Sequence, residues 1–241
     1  MKIFGKRKNK SEEQIAASQK DVYQNLKAFK YQLARLKALD ASAFANYQVD
    51  KDPISGKISQ LDRQEIIYKS IQSGIEEARA LKEEYGDMDL YNLAKALGLQ
   101  VDLVSKSDPM DFIYFGLFET PNKIMLFKDN IGKAQALLTK SKVKLFSHSF
   151  DDIVLAHEIF HYIEEIKPDL YSNTKKIDLW SLGKFYTHTS TLIAPGEISG
   201  MAFCRELLEL ETDPNILDYV FLAAFNFDMA TQMYENLIAY E

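Results

Sequence analysis

His157-Glu158-Ile159-Phe160-His161 constrains this chain more than any other stretch. Two His four residues apart on a helix can share one metal ion, because the helix period stacks i and i+4 on one face. The flanks agree. Leu155, Ala156, Ile159, Phe160, Tyr162 and Ile163 are all uncharged, as expected of a helix buried on most sides. Ser149 reads as its N-cap, with Asp151 and Asp152 in the first turn, and Pro168 marks its far end. With only four His in 241 residues, random order produces such a pattern on the order of 0.005 times. Imidazoles so placed suit zinc, and Glu158 beside the first of them can take a proton from water.

A catalytic zinc takes three protein ligands and leaves a position for water. Glu197, near the start of the next convincing helix, is the first candidate for the third ligand. His188, in the intervening segment, is the runner-up. Glu164, Glu165 and Asp169 also compete, but Glu164 and Glu165 lie up to a turn beyond His161 on the same straight helix and converge poorly on one tetrahedral centre. Tyr186 and His188 are candidates to stabilise an oxyanion. Cys204, seven residues after Glu197, reads as a small buried apolar residue.

Composition narrows the partners. The single Cys rules out an intrachain disulfide and any multi-cysteine zinc site. Lys2, Lys6, Arg7, Lys8 and Lys10 make a basic tip, so the net charge of −6 becomes −11 over the remaining 231 residues. An acidic body argues against nucleic acid as the main partner. No apolar h-region follows the basic tip and no run reaches the length of a membrane span, so the chain reads as cytoplasmic, without a transmembrane segment.

The pattern along the chain predicts an α+β protein, mostly helical, in three parts. Residues 1–10 form a flexible basic tail. Residues 11–86 form a helical arm: helices over 11–39 and 62–85 joined by a linker over 40–60, arranged as a hairpin. Ile15, Val22, Leu26, Phe29, Leu33 and Leu36 make a heptad-like stripe that permits a dimer. Residues 87–241 form the main domain. There, 89–97 is a short helix, 99–104 a strand, 112–119 and 123–128 a hairpin about Thr120-Pro121-Asn122, and 131–146 a helix. The segment 168–195 reads as loop with a short helix near 178–182. Helices follow over 197–210, 214–225 and 228–240.

Several of these stretches resemble the ImmA/IrrE family of metallopeptidases. Leu155-Ala156-His157-Glu158 with His161 is similar to its first signature. Glu197-Ile-Ser-Gly-Met-Ala-Phe203-Cys204-Arg-Glu-Leu207-Leu208 resembles the second, with Gly200 and Cys204 in place of small Ala residues. Asp89–Val101 is similar to the short helix entering the first strand, the 112–128 hairpin fits the small sheet, and 222–237 looks like the helix–turn–helix-shaped tail. The resemblance covers about 87–241. It implies a zincin-like core with a small antiparallel or mixed sheet, zinc on His157, His161 and Glu197, and Glu158 as catalytic base. The activity implied is limited cutting of a protein or peptide partner such as a transcriptional repressor. The alternative is a degenerate member of the same fold that serves as an interaction module.

The chain departs from the family in places. Glu209-Leu210 replaces Met-Pro and Phe160 replaces the motif glycine. Met201 stands where related zinc peptidases carry a carboxylate that orients a His. The eight acids and no Lys or Arg over 206–241 make the tail a packing or protein-docking element rather than a DNA reader.

Overall fold

Burial of the motif helix on nearly all sides organises the molecule. The computed structural model describes residues 2–3, 25–105, 113–182 and 186–241. In chain order the elements are β1 (Lys2–Ile3), α1 (Leu26–Leu36), α2 (Ala41–Lys51), α3 (Gln60–Tyr85), α4 (Leu90–Ala96), β2 (Gln100–Val104), β3 (Ile113–Tyr114), β4 (Gly116–Glu119) and β5 (Lys123–Phe127). Then come α5 (Lys128–Ser141), α6 (Phe150–Ile166), α7 (Tyr171–Thr174), β6 (Lys176–Leu182), β7 (Tyr186–Thr191), α8 (Ala194–Leu207), α9 (Ile216–Phe225) and α10 (Phe227–Ile238). The fold is α+β, mostly helical, with a small mixed sheet.

The layers follow from side-chain pattern. β5 is the middle strand of a three-stranded sheet of order β2-β5-β4, parallel to β2 and antiparallel to β4. Its Ile124 and Leu126 are wholly buried beneath α6. On its other side α6 packs against α8, and α8 in turn lies along α3. A helix held between a sheet and another helix has little polar face to spare, and every residue of α6 from Ile153 to Phe160 is buried. Its start is fixed by a capping box. Ser149 accepts the Asp152 N–H, and the Asp152 carboxylate accepts the Ser149 N–H.

Several expectations are corrected. The expected linker over 40–60 contains α2, started by Asp40, whose carboxylate accepts the Ser42 and Ala43 N–H groups. The segment 168–195 holds the antiparallel hairpin β6–β7 rather than a helix near 178–182. Residues 25–86 do not stand off as an arm. Phe29, Leu33, Leu36, Phe44, Ala78 and Leu81 belong to the same buried cluster as Phe115, Phe150 and Phe160. α1 packs on α9 and α10, and α3 on α8. The described part of the heptad-like stripe is thus used inside the chain, because Phe29, Leu33 and Leu36 are each about 1% exposed. Ile15, Val22 and nearly all of the basic tip lie outside the described residues. No helix among the described residues is long and apolar enough to cross a membrane.

Candidate metal centre

Facing helices bring three donors to one point. On α6, His157 and His161 present their Nε2 atoms 3.0 Å apart, with ring planes at 83°. From the first turn of α8, Glu197 reaches both: Oε2 lies 3.5 Å from His157 Nε2 and Oε1 lies 4.0 Å from His161 Nε2. These three residues are the group among the described residues whose donor atoms converge, all within 4.8 Å of one another. A tetrahedral zinc with bonds of about 2.0–2.1 Å sets its ligand atoms roughly 3.3 Å apart, close to the spacing seen. Two imidazole Nε2 atoms at 3.0 Å are poor neighbours unless a proton or a cation lies against both. The donor set fits a zinc-sized dication, and the third donor at this point is Glu197, with His188 outside the group.

The surroundings define roles for the neighbouring acids. Glu158 is 2% exposed, and the Phe118 N–H of β4 donates to its Oε2 at 2.8 Å. β4 thereby fixes the direction of the carboxylate beside the ligands. Glu164 is not one of the three converging donors. It sits one turn past His161, with Oε2 3.0 Å from His161 Nδ1, and so orients the ring that offers Nε2 to the centre. Glu165 and Asp169 are exposed and outside the cluster. His157 Nδ1 is buried with no hydrogen-bond partner among the described residues.

Small residues make room for these groups. A Cβ on Gly200 would lie 2.9 Å from His157 Cε1 and 3.0 Å from its Nδ1, and one on Gly116 would lie 2.6 Å from Glu158 Oε1. Gly200→Ala should force the buried ring to move and cost about 1–3 kcal/mol, read as a lowered denaturation midpoint of the metal-free protein.

Electrostatics point the same way. Burial alone would raise the carboxyls of Glu164 and Glu197, yet both are held below their ordinary value, Glu164 by His161 and Glu197 by His157 and His161. Burial alone would lower His161, yet its contact with Glu164 and the charges of Glu197 and Glu158 raise it. Three carboxylates around two imidazoles make a site whose negative charge favours a dication.

The pH dependence follows from these directions. The raised His161 stabilises the metal-free fold below its ordinary 6.5, and that contribution disappears as pH rises through the raised value. The lowered carboxylates contribute above their ordinary 4.5 and cease to contribute as pH falls through the lowered values. These groups therefore favour the metal-free fold most between 4.5 and 6.5. Zinc must displace the His161 proton, so the rise in melting temperature on adding zinc should be larger near pH 8 than near pH 6.

Glu164→Gln should weaken zinc binding about tenfold without abolishing it, measured by competition with a chromogenic chelator. Unchanged affinity would show that the His161–Glu164 contact does no orienting.

Of the oxyanion candidates, His188 is outside the group: it lies within β7, opposite Trp180 in the register, and is exposed. Tyr186 opens β7 opposite Leu182, and its side chain lies outside the described residues. Cys204 is buried as expected, with its Sγ 3.6 Å from the Ile153 carbonyl and its thiol pushed up by burial. Compared with known proteins, the chain matches no family model, no curated protein and no solved structure.

Proposed function

We propose that this protein is a zinc-dependent endopeptidase with a zincin-like core that makes limited cuts in a regulatory protein partner. The observation that supports it is the meeting of His157, His161 and Glu197 within 4.8 Å, beside a buried carboxylate that is not one of the three. Zinc bound there would supply Lewis acidity, lowering the pKa of water toward neutrality and polarising a carbonyl. Glu158 accepts the proton of the attacking water. As the carbon–nitrogen bond breaks, it delivers that proton to the departing amine, so the water ends divided between the new carboxyl and the new amine. Phe118 keeps the Glu158 carboxylate aimed, and Glu164 keeps His161 aimed. An extended substrate would run along β4, the outer strand beside Glu158, and not along β5, which lies between β2 and β4.

Metal-free protein titrated with zinc should take up about one ion per chain. It should then cut an unstructured protein such as casein at a small number of bonds, with activity lost to a chelator and restored by zinc. Stoichiometric zinc with no cleavage of any protein offered would favour the binding-module alternative. Failure to bind zinc would sink the metal assignment itself.

A further inference from the structure

We propose that Asp52, at the C-terminal end of α2, is the positioning residue for Glu197. The inference rests on the reading of Glu197 as a metal ligand. It ties the N-terminal helices, which lie outside the family resemblance, to the function of the site.

A helix leaves its first N–H groups without intrahelical partners. At the start of α8 the N-cap residue is Ile193, whose side chain cannot accept a hydrogen bond, and Pro195 has no N–H. The Gly196 and Glu197 N–H groups turn back to the Ile193 carbonyl at 3.1 and 3.4 Å. The Ile193 and Ala194 N–H groups both go to Asp52 Oδ2, at 2.7 and 3.0 Å. The other oxygen, Oδ1, accepts the Ile54 N–H at 3.1 Å, which fixes the carboxylate plane. Asp52 is thus a cap supplied from 141 residues away in sequence.

Two further features mark it as more than a surface contact. Asp52 is only 5% exposed. An acid at the C-terminal end of α2 opposes the dipole of its own helix, and the arrangement is favourable only because the same carboxylate meets the positive end of α8. Around it a second apolar cluster closes on the start of α8: Ala45 and Val49 of α2 and Ile66 and Ile67 of α3 pack with Ala194 and Ile198. Asp52 is the polar corner of that clamp. Glu197 lies in the first turn it anchors. A shift of the Ile193–Ala194 backbone would move the Glu197 carboxylate relative to imidazoles held on a different helix.

The test compares Asp52→Ala and Asp52→Asn with the wild type and with Glu197→Gln. The readouts are zinc affinity and the visible spectrum of the cobalt-substituted protein, which reports ligand geometry. Asp52→Ala should bind zinc about tenfold more weakly and show shifted cobalt bands at saturating metal. Asp52→Asn keeps one acceptor oxygen, so it should recover most of the affinity, staying about threefold below wild type. A folded Asp52→Ala with wild-type affinity and an unchanged spectrum overturns the proposal. If Asp52→Ala does not fold, Asp52→Asn decides, and its identity with wild type in both readouts overturns the proposal equally. Wild type that binds no cobalt, or Glu197→Gln that binds it unchanged, overturns the metal-ligand reading instead, so the two failures are distinguishable.

Discussion

Glu158→Gln should leave zinc content at about one ion per chain and lower peptide cleavage by about a thousandfold, within the range that general acid–base groups supply. The substitution is nearly isosteric. Its side-chain oxygen can still accept the Phe118 N–H that Glu158 Oε2 accepts at 2.8 Å, so the packing around a residue only 2% exposed is kept. What disappears is the ability to hold a proton between water and the leaving amine. Glu158 is not one of the three converging donors, so metal binding and proton transfer should separate cleanly in this variant. Measuring zinc by elemental analysis and cleavage on the same preparation checks both halves. Wild-type cleavage by Glu158→Gln would remove it from the mechanism.

The same residues show how far the sequence could be read. The motif helix, its Ser149 cap, the 112–128 hairpin and the third donor Glu197 were legible, because each carries a local signal: i,i+4 spacing, a capping residue, strand alternation about a turn, a Glu opening a helix. Strand order was not legible. Nothing local to residues 123–128 says whether they form an edge or a middle strand, and it is the parallel pairing with β2 that makes β5 the middle. Glu164 is visible in the sequence as a nearby acid, though as a donor it converges poorly with the His of its own helix. A Glu three residues after a ligand His reaches that ring's Nδ1, and this spacing is the signal that could have assigned its role.

Asp52 had no such signal. Its acceptors serve N–H groups at Ile193 and Ala194, and nothing local distinguishes it from the Asp of an ordinary Asp-Pro turn. The β6–β7 hairpin was obscured differently. Tyr186–Thr191 is polar on both faces, as expected where an exposed strand such as that of His188 and Thr189 buries little. An apolar pattern can be read only where there is a core to face. The N-terminal stripe is the converse case, since its apolar spacing was real, yet spacing alone does not say whether the partner is another chain or the same one.

His157→Ala should abolish zinc uptake, and its effect on stability should depend on whether zinc is present. His157 is 1% exposed and packed against Gly200, so truncation opens a void in α6's contact with α8. It also removes a buried Nδ1 that has no hydrogen-bond partner among the described residues. The two effects oppose, and the metal-free variant should be destabilised by only about 1–3 kcal/mol. Wild type differs sharply once zinc is added, because an ion bound only by the folded state stabilises it by about 4 kcal/mol at a thousandfold excess over its dissociation constant. The variant should gain nothing. Melting curves of both proteins with and without zinc therefore separate a structural imidazole from a ligand. A structural role predicts the same zinc response in each, whereas a ligand predicts a response in wild type alone. His161→Ala sharpens the comparison, since it should also lose zinc while taking the partner from the Glu164 carboxylate, where His157→Ala takes one that Glu197 faces at 3.5 Å.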